Sequence, residues 1–335
     1  MTQRPLRLSI PSKGRLSEDS LSFLAACGLD VYKPNPRQYE ASIPSIPGLT
    51  VLFQRPADIV ISVRNGSVDF GLTGLDMLAE YRGPNGDILP LHTALGFGSC
   101  TLDVIVPDTW TGVYRMADLA QKQAELGRPL RVATKFPNAA APCFAQNGLE
   151  DVIFIAAEGT LEIAPTIGYA DLITDLVSTG TTLRDNHLKR LEDGQILSSQ
   201  ACLIANRDVL KENSEALAIA RTLLEYFAAH LRASKAVSVF VNMRGDSPES
   251  IAEKMFTKQV IGGLQGPTFS PIITRQSEKW YAAHLVVRKD QLAQAIAELR
   301  SIGGSGVVVA PVTYIFEEEP EEYRAMLEAL KTSHQ

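Results

Sequence analysis

The sequence predicts an α/β chain of two lobes followed by a smaller α+β domain. Strand-like and helix-like stretches alternate through its first two-thirds, which is the signature of α/β architecture. One long Ala-, Leu- and Glu-rich stretch, Leu210–Ser234, then reads as a connecting helix. Beyond it the order changes to β-α-β-β-α-β, the ferredoxin-like arrangement.

The elements follow in order. Leu6–Ile10 reads as a strand, and Ser17–Cys27 as an amphipathic helix with Leu21, Leu24 and Ala25 on one face and Gly28 as its stop. Val51–Phe53, Ile59–Val63 and Asp69–Leu72 continue the alternation, and Leu75–Tyr81 is the next helix. Thr101–Val106 is a strand ending at Pro107. A second α/β unit then has helices at Met116–Leu126 and Asn138–Asn147, and strands at Arg131–Ala133, Val152–Ala156 and Asp171–Val177. Gln200–Asn206 reads as a strand that returns to the first unit. In the last domain, Val237–Asn242, Thr268–Thr274, Ala282–Val287 and Gly306–Ile315 are strands. Ser247–Lys258 is a helix that opens Ser247-Pro248, and Asp290–Ile302 a helix with Asp290 as its cap. The predicted limits are 1–105 with 190–234 for the first lobe and connector, 106–189 for the second lobe, and 235–318 for the ferredoxin-like domain. An acidic, weakly helical tail with no assigned role occupies 319–335.

The 335 residues are 45% hydrophobic and 21% charged, ordinary values for a soluble chain of two or three domains. No apolar run approaches the length of a bilayer span, so no membrane partner is expected. The opening residues run into a strand without an apolar signal region, which predicts a cytoplasmic location. Cys27, Cys100, Cys143 and Cys202 form no C-x-x-C pair, and the five histidines form no zinc pattern. A formal charge of −6 argues against nucleic acid as a partner. Polyphosphate substrates would have to be held locally, against that overall field.

One segment carries the chemistry. The apolar strand from Asp171 through Asp175 ends in Ser178-Thr179-Gly180-Thr181-Thr182, and a helix follows. Such a turn offers backbone N–H groups and hydroxyl donors to a phosphate monoester. Thr182 and Asp185 have capping-box spacing. Asp171 and Asp175, just upstream, suit ribose hydroxyls, or Mg²⁺ shared with substrate phosphates. No G-x-x-x-x-G-K loop occurs.

Glu158-Gly-Thr-Leu-Glu162-Ile-Ala-Pro165-Thr-Ile-Gly168-Tyr-Ala170-Asp171 followed by Asp175-Leu-Val-Ser-Thr-Gly-Thr-Thr-Leu183 resembles the signature of ATP phosphoribosyltransferases. Pro11-Ser-Lys13-Gly14-Arg15-Leu16, Gly71-Leu-Thr73-Gly74-Leu-Asp76 and Leu95-Gly-Phe97-Gly98-Ser-Cys100 resemble its other motifs in the same order. Gly263-Leu264-Gln-Gly-Pro267-Thr268 resembles a motif of the long form, which carries its own regulatory domain. The stretch Ala139–Cys143 departs from the pattern by lacking the basic residues common there.

The resemblance implies a two-lobed fold like the type II periplasmic binding proteins, Mg²⁺ dependence and the first step of histidine biosynthesis. It also implies feedback inhibition by histidine and a homo-oligomer, from dimer to hexamer. Carried over by residue, Ser178, Thr179, Gly180, Thr181 and Thr182 would hold the 5′-phosphate of phosphoribosyl pyrophosphate, with Asp171 and Asp175 on its ribose face and as Mg²⁺ ligands. Lys13, Gly14, Arg15, Arg55, Thr73, Gly74 and Asp76 would line the ATP side, with Lys13 and Arg15 also stabilising charge. Glu162 is the candidate proton acceptor, and Leu264 and Thr268 the effector contacts. Removing everything after about residue 235 is expected to leave the catalytic lobes and abolish inhibition. A cytoplasmic small-ligand-binding or regulatory protein of the same fold, without catalysis, is the alternative reading.

Overall fold

The computed structural model describes residues 4–35, 37–157, 159–178, 180–263, 266–274 and 278–332. The chain divides into two compact units, Met1–Leu224 with Glu321–Gln335, and Glu225–Pro320.

In the first unit, one lobe begins with β1 (Leu6–Pro11), α1 (Arg15–Ala26), β2 (Glu40–Ser42), β3 (Leu49–Gln54), α2 (Pro56–Arg64), β4 (Phe70–Gly74), α3 (Leu75–Tyr81) and β5 (Ile88–His92). The second lobe comprises β6 (Cys100–Pro107), α4 (Asp118–Leu126), β7 (Leu130–Thr134), α5 (Pro137–Gln146), β8 (Val152–Ala156), β9 (Leu172–Val177), α6 (Thr181–Asp185) and β10 (Leu188–Ser199). The chain then returns through β11 (Ala201–Asn206) to α7 (Arg207–Glu212) and α8 (Ser214–Ser234), whose residues from Glu225 onward belong to the other unit.

The sheet orders are β2-β3-β1-β4-β11-β5 and β10-β6-β9-β7-β8. Each has three parallel strands, β3-β1-β4 in one and β8-β7-β9 in the other. Each is extended by an antiparallel strand that has just arrived from the opposite lobe, β11 beside β4 and β6 beside β9. This reciprocal exchange gives the two-lobed, type II periplasmic-binding-protein-like fold that was expected. The crossing segments are tied together, since the Leu95 N–H donates to the Ala201 carbonyl at 3.2 Å and the Ala201 N–H to the Phe97 carbonyl at 2.9 Å.

Helices cover both faces of the parallel strands, so the strands read as near-continuous apolar runs. In the first lobe Val60 and Val63 of α2 pack with Cys202 and Ile204 of β11. In the second, Ala140 and Phe144 of α5 pack on Val132, Leu172 and Val104. Each fully buried Val, Ile, Leu or Phe among these contributes about 1.5–3 kcal/mol.

The other unit comprises β12 (Ala236–Arg244), α9 (Pro248–Phe256), β13 (Thr268–Ile272), β14 (Trp280–Arg288), α10 (Leu292–Ser301) and β15 (Ser305–Pro311). Its sheet order, β13-β14-β12-β15, is the ferredoxin-like one. Val239, Val241 and Met243 alternate inward on β12 against Ile251 and Met255 of α9 and Leu299 of α10. Ser247 and Ser250 form a capping box at the start of α9. Asp290 does not cap α10; it pairs with Arg288, and a short 3₁₀ turn, Lys289–Gln291, precedes the helix.

Several sequence expectations are corrected. β10 is a twelve-residue strand whose charged run, Lys189 to Asp193, hides it, and its register slips between Arg190 and Gln195 and again before Leu197. Because β6 and β10 belong wholly to the second sheet, the lobes exchange near residues 93–99 and at Gln200, rather than at 105 and 190. The stretch 210–234 is not one helix. Asn213 interrupts it, its side-chain oxygen accepting from the Glu215 and Ala216 N–H groups at 2.9 and 3.3 Å. The tail holds a last helix, α11 (Glu321–Lys331), which packs on β5 and α7 of the first unit. Met326 is buried there, and the Arg207 guanidinium donates to the Ala329 carbonyl at 2.7 Å. Among the described residues no helix is long and apolar enough to cross a membrane.

Candidate active site

Open α/β sheets present ligands with the loops beyond the carboxyl ends of their parallel strands. β1 delivers Lys13, Gly14 and Arg15, all exposed. Gly14 has φ +75°, a backbone state that strains any side chain, and it turns the chain from β1 into α1. Arg15 pairs with Asp19, one turn on at 3.6 Å, a weak surface pair. β3 delivers Arg55, exposed and extended at the start of α2. Among the described residues, neither Lys13 nor Arg55 has a side-chain hydrogen bond or ion pair.

β4 ends at Thr73-Gly74. A Cβ on Gly74 would lie 2.1 Å from the Asp76 carboxylate, so the tip requires glycine. Thr73 is buried and donates to the Pro56 carbonyl at 3.2 Å. Asp76 is also buried; the Ser199 hydroxyl donates to its carboxylate at 2.5 Å and accepts from its N–H at 3.0 Å. Thr73 and Asp76 therefore shape the tip, with their side chains turned inward.

In the second lobe β9 delivers Ser178, Gly180, Thr181 and Thr182, the hydroxyl residues among them exposed; Thr179 lies outside the described residues, as does Glu158. Gly180, at φ +73°, starts α6 without any side-chain cap bond, so the Thr182–Asp185 capping box does not form. Burial pushes the Asp175 carboxyl up, an effect opposed by the Leu176 N–H and the Lys135 charge and reinforced by Glu162. Lys135, immediately after β7, and Glu162, in the short 3₁₀ turn Leu161–Ile163, thus flank Asp175. Asp103 lies opposite Asp175 in the β6–β9 register, buried, and accepts from the Thr101 hydroxyl. Sequence reasoning missed Lys135 and Asp103 as site residues. A basic residue directly after a parallel strand was a usable signal for the first; only cross-strand register reveals the second.

Asp171 is a correction. It precedes the first residue of β9, whereas Ser178 follows the last, a separation of roughly 20 Å along the strand. The Arg128 guanidinium donates to both its oxygens at 2.6 and 2.7 Å, and Arg131 adds its guanidinium at 3.0 Å and its backbone N–H at 2.9 Å. Burial alone would raise this carboxyl, but the two guanidinium groups outweigh it and hold it far below the usual carboxylate range. Asp171 is neither a ribose contact nor a Mg²⁺ ligand. Of the effector residues, Leu264 lies outside the described residues, and Thr268 is exposed at the start of the edge strand β13, opposite His284.

Two α/β lobes with exposed cations on one set of strand tips, and a lysine and hydroxyl turn on the other, define a protein for phosphate-bearing ligands. The ATP phosphoribosyltransferase (HisG) family pattern matches residues 55–227, and that of the HisG C-terminal domain residues 233–314. The chain is 44% identical to ATP phosphoribosyltransferase 2, chloroplastic, of Arabidopsis thaliana over 97% of this chain and 80% of that protein. It is 35% identical to an ATP phosphoribosyltransferase of Nitrobacter hamburgensis over 94% and 95% of the two chains. A chain of the ATP phosphoribosyl transferase (HisG:HisZ) complex from Thermotoga maritima shares the fold, with a TM-score of 0.52 and 24% identity over 67% of this chain and 98% of that one. The protein thus belongs to the ATP phosphoribosyltransferase family, in its long form with a C-terminal domain.

Proposed function

We propose that this chain condenses ATP with phosphoribosyl pyrophosphate, releasing pyrophosphate, as the first step of histidine biosynthesis. The observation that carries this reading is the placement of Lys13, Arg15 and Arg55 on the strand tips of one lobe and Lys135, Asp175 and the Ser178–Thr182 turn on those of the other. The turn binds the 5′-phosphate of the sugar donor, and Asp175 accepts from its ribose hydroxyls. Lys13, Arg15 and Arg55 receive polyphosphate oxygens, where charge-assisted hydrogen bonds are strong. ATP lies along the Gly74 tip, where the Asp76 carboxylate already fills the space a side chain would take.

Adenine N1 supplies the electron pair that forms the bond to the anomeric carbon. The bond from that carbon to oxygen breaks, and its pair leaves with pyrophosphate. Positive charge then spreads over the adenine amidine until its exocyclic nitrogen loses a proton, for which Glu162 is the acceptor. Alignment of the two substrates supplies a large share of the rate, about 7–11 kcal/mol in favourable systems.

Among the described residues no cluster of three or more His, Cys, Asp or Glu is placed to hold a metal. Mg²⁺ keeps waters and substrate phosphates as ligands and needs one or two carboxylates. Asp175 would be the carboxylate that holds it, and the ion would supply charge neutralisation on the leaving pyrophosphate. The ferredoxin-like unit takes histidine as an inhibitor near Thr268, and the chain works as a homo-oligomer.

ATP, phosphoribosyl pyrophosphate and Mg²⁺ should yield pyrophosphate and phosphoribosyl-ATP, resolved by chromatography with mass detection. Product with free purine bases and none with ATP would reassign the acceptor. Ligand binding without turnover would favour the non-catalytic alternative.

A further inference from the structure

Helix α3 and helix α5 each lack a cap of their own. The residue before α3 is Gly74 and the one before α5 is Phe136, and neither supplies a side-chain cap bond. The missing acceptors come from across the lobe boundary. Glu80, on α3 of the first lobe, accepts the Asn138 and Ala139 N–H groups of α5 on separate carboxylate oxygens, at 3.2 and 3.0 Å. The Asn138 side-chain amide donates back to the Glu80 carbonyl at 3.2 Å. In the reverse direction, Ser199, the last residue of β10 in the second sheet, accepts the Asp76 N–H of α3 at 3.0 Å. Each helix therefore takes a partner for its first turn from the other lobe.

Glu80 is an expensive way to cap a helix. It is 5% exposed, and burial pushes its carboxyl up despite the three hydrogen bonds that draw it down. A Ser, Thr or Asn at Phe136 would satisfy the same N–H groups locally, without a buried charge. What a local cap would not supply is a link between strand tips. α3 begins directly at the Gly74 tip of β4, and α5 begins two residues after Lys135 at the tip of β7.

We propose that Glu80 is a positioning residue: it caps α5 from the opposite lobe and thereby holds the Lys135 tip against the Gly74 tip. The kinetic consequence rests on the reading that the two substrates are gripped from both lobes. A protein whose lobes are less often in the competent arrangement binds such substrates more weakly by that fraction, with turnover at saturation retained.

The test compares Glu80→Ala and Glu80→Gln with the unaltered protein by amide hydrogen exchange without substrates and by steady-state kinetics. Glu80→Ala should speed exchange at Asn138 and Ala139 and also at Asp76, whose partner is Ser199 rather than Glu80. KM for both substrates should rise about tenfold, with kcat held within about twofold. Glu80→Gln, which keeps one of two acceptor oxygens, should fall between, and it carries the test if the alanine variant does not fold. Faster exchange confined to Asn138 and Ala139 would reduce Glu80 to a local cap and overturn the proposal. So would an unchanged KM, or a loss of kcat at constant KM. Should the unaltered protein make no phosphoribosyl-ATP, the functional reading fails, while the exchange at Asp76 still decides the role of Glu80.

Discussion

The two ends of β9 carry aspartates of opposite character. At its start Asp171 is gripped by Arg128 and Arg131, and its carboxyl is held down; near its end Asp175 is pushed up by burial, beside Lys135 and Glu162. In the sequence they are a pair of acids four residues apart. In the fold one fastens the amino end of the strand to the turn before β7, and the other faces the ligand tips. A carboxylate saturated by two arginines is a structural joint, whereas one beside a lysine at the other end of the strand is, on the proposed reading, the one that meets a ligand.

The largest expected contrast comes from removing each charge. Asp175→Asn should lower kcat/KM by roughly 100-fold, in line with the loss of a positioned polar contact at a reacting centre, and leave the melting temperature unchanged or raised. Asp171→Asn should do the reverse, costing about 2 kcal/mol of stability in chemical denaturation, discounted for the partly exposed arginines, and leaving kcat/KM near its starting value. Equal kinetic damage from the two would erase the distinction. Lys135→Ala should cost about tenfold in kcat/KM. It should also move the acid limb of the pH–rate profile to higher pH, because losing the cation raises the Asp175 carboxyl further. An unmoved limb would remove Lys135 from the neighbourhood of Asp175.

The smallest contrast is in stability against pH. Asp171 binds its proton more weakly folded than unfolded, so its contribution is present above the ordinary carboxylate range near pH 4 and fades as pH falls below it. Asp175 binds its proton more tightly folded, so it favours folding below that range and loses that contribution as pH rises through its folded value. Denaturation midpoints between about pH 3 and 7 should therefore show Asp171→Asn flattening the acid loss and Asp175→Asn raising the neutral end.

Much of this was legible in the sequence. The order β-α-β-β-α-β announced the last sheet, because turn residues and caps such as Ser247 punctuate it locally. Ser178 could be placed because it directly follows an apolar strand, whereas Lys13, Gly14 and Arg55 rested on the family resemblance. The errors have a common cause in distance. Asp171 was grouped with the hydroxyl turn because the length of the strand between them was ignored. Glu80 gave no local signal at all, since its partners lie on α5 in the other lobe. β10 escaped because a bulged, charged strand on a sheet edge has no clean alternation.

The return of α11 to the catalytic part changes how this molecule can be edited. The ferredoxin-like unit is an insertion with both ends leading into one host, so cutting the chain near residue 235 also discards the helix that shelters Met326 and engages Arg207. A fragment that keeps α11 should instead be made by excising the ferredoxin-like unit and splicing its flanks. By the same logic, exchanging that unit between relatives calls for two junctions rather than one.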